Sequence, residues 1–140
     1  MSIYLDNAAT SWPKCPHVIA AMQEYLCECG GSPGRAGHGK SLTSSRMVYD
    51  TRDQLSTLFN VASTDRVVFA KNATEALNMI LFGYLNPGDH VVTSGMEHNA
   101  VMRPLRQLES CGVSISVAVC DGQGRLDPDS VRRLLTPKTR

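Results

Sequence analysis

A chain of 140 residues with 42% hydrophobic and 19% charged residues has the composition of one ordinary globular domain, not of a disordered segment. Fourteen Lys and Arg against thirteen Asp and Glu leave a net charge of +1, which supplies no long-range field for nucleic acid or an anionic membrane. No apolar run approaches the ~20 residues of a bilayer span. The opening MSIYLDNAATSWPK carries an acid at Asp6 and lacks the order of a signal peptide, so the expected location is the cytoplasm. The five cysteines (Cys15, Cys27, Cys29, Cys111, Cys120) have neither disulfide-framework nor zinc-ligand spacing, and read as reduced structural thiols with no metal site.

The chain begins with a short extended segment, Ile3-Tyr4-Leu5, and a polar turn of small residues, Asp6-Asn7-Ala8-Ala9-Thr10, suited to close ligand approach. Pro16 suits the first position of a helix, where its missing N–H would be unpaired anyway. Val18, Ala21, Met22, Tyr25, Leu26 and Cys29 recur at helical spacing until Gly30-Gly31. Residues 30–43 hold five glycines and a proline and read as a long loop, either a solvated linker or a mobile flap. In the second case Arg35 would grip a carboxylate or phosphate, and His38 lies beside it. A second helix fits 45–59, with Val48, Leu55, Leu58 and Phe59 at its apolar positions.

Short β-branched runs then alternate with helices. Residues 66–70 read as a buried strand and 74–85 as a helix closed by Asn86-Pro87-Gly88-Asp89. A strand over 90–93 precedes a helix over 99–111, with Gly112 at its C′ position. Val113, Ile115, Val117 and Val119 alternate as a third strand, and Asp127-Pro128 opens a last helix to 135. Such repeats demand right-handed crossovers and a mostly parallel sheet with helices on both faces, an α/β fold. The last helix should return the chain to another strand, yet the sequence stops at Thr136-Pro137-Lys138-Thr139-Arg140 and so reads as truncated. The expected organisation is an N-terminal segment with helix and glycine-rich loop over 1–44, then α/β structure over 45–140.

Two strand-to-helix junctions carry the chemistry. Phe69 to Asn78 runs from a strand through small residues into a helix, whose free N–H groups and positive dipole end form an anion site. Ala73 would permit close backbone approach and the Thr74 hydroxyl would add a donor. The competing reading is that Asn72 or Thr74 merely caps the helix. His98 follows the next strand at the same sheet edge, since ligands of parallel sheets bind at the carboxyl ends of the strands. Its imidazole would stack on a cofactor ring or carry protons, or else cap its own helix.

The order YLDNAATSWPK, PGRAGH, NATEALN, MEHNAV with Pro104, CDGQGRLD and TPKTR resembles the class V aminotransferase and cysteine desulfurase family from Ile3 to Arg140. The resemblance implies the first portion of the large domain of a pyridoxal-phosphate transferase fold, and pyridoxal phosphate as cofactor. By that likeness Ala73 and Thr74 bind its phosphate, His98 stacks on its pyridine ring, and Asn7, Ala8 and Ala9 line the substrate side. Arg35 and His38 would lie in a loop near the active site at a homodimer interface. The implied activity converts L-cysteine to L-alanine, passing sulfur to an enzyme cysteine as persulfide and then to a sulfur-acceptor protein. A class V aminotransferase, or a selenocysteine or cysteine-sulfinate lyase, is the alternative enzyme. None of Lys14, Lys40, Lys71 and Lys138 stands in the family's serine-histidine-lysine context, so the 140 residues alone are expected to be inactive. An inactive fragment is accordingly the alternative of another class.

Overall fold

The computed structural model describes residues 3–35 and 37–140; Ala36 of the PGRAGH stretch lies outside the described residues. The chain divides into two compact units, Met1–Val68 and Phe69–Arg140. Among the described residues, no helix is long and apolar enough to cross a membrane.

In the first unit, α1 (Pro16–Glu24) starts with its proline at the N-terminal position and passes into one π-helical turn, Tyr25–Cys29. Gly30, in the left-handed region at φ 58°, ends it, as glycine does without steric cost. Helix α2 (Gly39–Leu58) begins earlier than its apolar spacing suggests, because the Nδ1 of His38 accepts the Ser41 N–H at 3.3 Å and caps it. The loop expected over 30–43 is therefore shorter, with α2 beginning at Gly39.

The interior of this unit is stitched by hydroxyls. Leu58 and Phe59 are exposed, whereas Ser41, Ser44 and Ser56 of α2 are buried. The Tyr25 hydroxyl donates to the Gly31 carbonyl at 2.8 Å, and the Ser41 hydroxyl donates to the Ser32 carbonyl at 2.8 Å. Gly31 lies so close to α2 that a Cβ there would stand 2.6 Å from the Lys40 carbonyl. An approach that close leaves backbone carbonyls facing α2, and buried carbonyls need donors, which serine supplies and leucine does not.

The second unit holds α3 (Ala73–Tyr84), β1 (His90–Ser94), α4 (Asn99–Ser110), β2 (Ser114–Ala118) and α5 (Pro128–Leu134). The strands are parallel, registered from His90 against Ser114 to Ser94 against Ala118. Leu85, Leu105, Leu108 and Val113 form the buried core, with Leu81, Val91, Val101 and Ile115 packed against it. The fold is α/β, with helices packed against a parallel sheet.

Two sheet expectations change. The strand expected over 66–70 is absent among the described residues: Thr64–Arg66 forms a 3₁₀ turn capped by Ser63, and residues 67–70 stand outside any strand. The last helix does return the chain to the sheet, because the Thr139 segment bridges His90 in parallel. The His90 N–H donates to the Lys138 carbonyl at 2.9 Å, and the Arg140 N–H donates to the His90 carbonyl at 3.0 Å. On the opposite side, the Ser114 N–H donates to the Asp89 carbonyl at 2.8 Å. The start of β1 is thus flanked on both sides at His90. The buried His90 ring joins the same neighbours, with Nδ1 2.7 Å from the Thr139 hydroxyl and Nε2 2.8 Å from that of Ser116.

Candidate functional site

The start of α3 separates capping from ligand-binding capacity. Asn72, with extended backbone, accepts the Glu75 N–H on Oδ1 at 2.9 Å and the Ala76 N–H on its own carbonyl at 3.2 Å. The Glu75 carboxylate turns back to accept the Lys71 N–H at 2.7 Å and to pair with the Lys71 ammonium at 3.4 Å. Asn72 is therefore the cap, and Lys71 is an exposed partner of Glu75. The N–H groups of Ala73 and Thr74 and the Thr74 hydroxyl have no partner among the described residues. Three donors thus remain at the positive end of a twelve-residue helix. Asn78, one turn on, donates from Nδ2 to the Thr74 carbonyl at 2.7 Å and steadies that turn.

Helix α4 is capped by His98, whose Nδ1 accepts the Ala100 N–H at 3.0 Å. A nitrogen that accepts this bond carries no proton, so the neutral ring takes the Nε2–H tautomer and keeps Nε2 as a donor. The ¹⁵N shifts of the neutral His98 ring should therefore show a protonated Nε2 and a bare Nδ1. The reverse pattern would mean that the cap is not formed.

Helices α3 and α4 pack side by side, and between them lies a cleft of about 290 Å³. Thr74 and Asn78 line one wall; His98, Asn99, Arg103 and Gln107 line the other. The structure thus brings Thr74 and His98 onto one cleft, with Ala73 opening the helix immediately before Thr74. Asn78, Arg103 and Gln107 were not singled out from sequence. The available signal was the four-residue spacing of 74 and 78 and of 99, 103 and 107, which sets each series on one helix face. At the carboxyl end of β2, Asp121 closes a turn, and its carboxyl is held below the usual carboxylate range. The Arg125 N–H (2.9 Å) is the main cause, followed by the Arg125 guanidinium and the Gln123 N–H.

The other expected pocket residues belong to the first unit. Asn7 holds its own turn, its Oδ1 accepting the Trp12 N–H at 3.0 Å, and Ala8 and Ala9 are exposed in the same turn. Arg35 is exposed, and His38 caps α2.

Residues 3–140 match the family model described as "Aminotransferase class-V". The chain belongs to that family. Among similar proteins of this class V family, the probable cysteine desulfurase of Methanothermobacter thermautotrophicus is 33% identical over 99% of this chain and 34% of its own length. The cysteine desulfurase IscS of Dictyoglomus turgidum is 32% identical over 98% of this chain and 35% of its own length. Among solved structures, the cysteine desulfurase CsdA of Escherichia coli superposes with a TM-score of 0.74 at 27% identity, covering 98% of this chain and 35% of its own. The apo cysteine desulfurase of Thermococcus onnurineus gives 0.81 at 28%, covering 91% and 32%. This class V chain spans about a third of the length of the curated relatives it matches, and its sheet and helices form only part of the large domain of those structures.

Proposed function

We propose that these residues hold pyridoxal phosphate in a cysteine desulfurase, Ala73 and Thr74 binding its phosphate and His98 lying against its pyridine ring. One observation carries the reading: the unpaired N–H and hydroxyl of Thr74, next to the unpaired Ala73 N–H at the start of α3, share a cleft with a histidine whose Nδ1 is committed to capping and whose Nε2 is not. A phosphate oxygen accepts such N–H and O–H donors, and a helix start of this polarity suits its charge, so the donor set fits the group. When bound, the cofactor would supply an electron sink for bonds at the substrate's amino-acid carbon. The protein's part at this cleft is to anchor the phosphate and orient the ring.

Residues 45–140 form, on this reading, the first part of the cofactor-binding domain, and 1–44 the segment before it. Asn7, Ala8 and Ala9 line the substrate side of the pocket, and Arg35 and His38 lie in a loop near it at a homodimer interface. The family's Schiff-base lysine is not among Lys14, Lys40, Lys71 and Lys138, so the 140 residues are assigned cofactor holding and not turnover by themselves. The reaction of the whole protein takes L-cysteine and an enzyme thiol to L-alanine and an enzyme persulfide; a C–S bond breaks and an S–S bond forms. The persulfide then serves a sulfur-acceptor protein in the cytoplasm.

The names of the relatives favour this substrate over a transamination. In the full-length protein supplied with pyridoxal phosphate, L-cysteine and a thiol reductant, L-alanine and sulfide should appear in equal amounts. Formation of a 2-oxo acid from the amino donor would instead establish an aminotransferase.

A further inference from the structure

We infer that Arg103 is a further anion-holding residue of the α3–α4 cleft, pairing with the phosphate of the ligand that Thr74 anchors. This rests on the reading of that cleft as a cofactor site. Each of the other arginines in the second unit has a carboxylate: Arg106 pairs with Glu109, Arg125 with Asp121, Arg132 with Asp129, Arg133 with Asp127 and Arg140 with Asp89. Arg103 has none among the described residues, although Arg106, one turn further along α4, is paired at 2.8 Å. Its position explains the difference. Leu105 and Leu108 turn into the core, and residues 99, 103 and 107 are left facing Thr74 and Asn78 across the cleft.

No carboxylate lines that cleft. The acids nearest in sequence to its ends are engaged elsewhere, Glu75 with Lys71 and Glu97 with the Ser94 hydroxyl at 2.7 Å. The cleft lining therefore combines the starts of two twelve-residue helices, the unpaired Thr74 N–H and one guanidinium, with no carboxylate among its lining residues. Phosphate is favoured over a substrate carboxylate because the Thr74 donors lie in the same cleft, where one group with several oxygens can take a bidentate guanidinium and the helix-start donors together. Arg103 is exposed before binding, so solvent screening makes its contribution smaller than that of a buried pair.

The test measures dissociation constants for pyridoxal 5′-phosphate and for pyridoxal on the full-length apo-protein, with inorganic phosphate as competitor. Arg103→Gln should weaken pyridoxal 5′-phosphate about three- to tenfold and inorganic phosphate in proportion, while pyridoxal is unaffected. The defect should shrink with added salt, and Arg103→Lys should restore most of the affinity. Unchanged phosphate and pyridoxal-phosphate affinity in Arg103→Gln, with Thr74→Val still defective, would overturn the role of Arg103 and leave the site standing. A loss confined to L-cysteine would overturn it in favour of a carboxylate. Failure of the unaltered protein to bind pyridoxal 5′-phosphate would overturn both.

Discussion

Thr74→Val in the full-length protein should weaken pyridoxal phosphate by roughly ten- to hundredfold, the equivalent of one hydrogen bond to a charged group at about 1.5–3 kcal/mol. Valine keeps the shape of threonine and removes only the hydroxyl, which has no partner within the described residues. The N–H groups of Ala73 and Thr74 remain, so binding weakens without vanishing. Folding stability should barely change, because the cap of α3 is Asn72 and not Thr74. Asn72→Ala supplies the contrast: it should cost about 1 kcal/mol of stability, as loss of an N-cap does. Equilibrium titration of the cofactor and urea unfolding of both variants separate the two roles. A Thr74→Val protein that is destabilised but binds normally would return this threonine to a structural part.

The largest effect on stability is expected from Leu105→Ala. Leu105 is 1% exposed and stands at the centre of the core formed with Leu85, Leu108 and Val113. Removing a buried leucine side chain forfeits its transfer energy and leaves a cavity, together about 2–5 kcal/mol. Because this core is small, that loss is a large share of what holds α4 against the sheet. Urea unfolding should show a lower midpoint. The same substitution at the exposed Leu58, measured alongside, should stay within about 0.5 kcal/mol. A Leu105→Ala protein as stable as the unaltered one would mean that the α4 packing described above does not exist in solution. The cleft should also suffer, since α4 carries His98 and Arg103 on the turns before and beside Leu105.

Much of this architecture is written in local sequence. Pro16 opens α1, Gly30 ends the turn after it, Asp127-Pro128 opens α5, and the apolar runs of β1 and β2 stand where their β-branched residues place them. These features depend on neighbours within a few residues, through fixed φ, missing donors and side-chain periodicity. The helix starts at Ala73 and Asn99 were legible for the same reason, although the strand expected before the first of them is not formed.

What the sequence left open was decided by partners distant along the chain or by competition between adjacent ones. Residues 66–70 have the composition of a strand, but composition does not supply the paired neighbour a strand needs, and the chain turns through Thr64–Arg66 in 3₁₀ geometry and runs on outside any strand. Asn72 and Thr74 were equally good caps by residue type; backbone geometry at the start of α3 gave the Glu75 N–H to Asn72 and left the Thr74 hydroxyl unpaired. His38 shortened the glycine-rich loop by capping α2 from a position that carries no helical pattern. Arg103 resembles any surface arginine in the sequence. Only the packing of α4, which turns Leu105 and Leu108 inward, sets it without a carboxylate in the cleft that Thr74 and His98 share. Periodicity assigns a residue to a face of its own helix, and only the tertiary structure determines what that face meets.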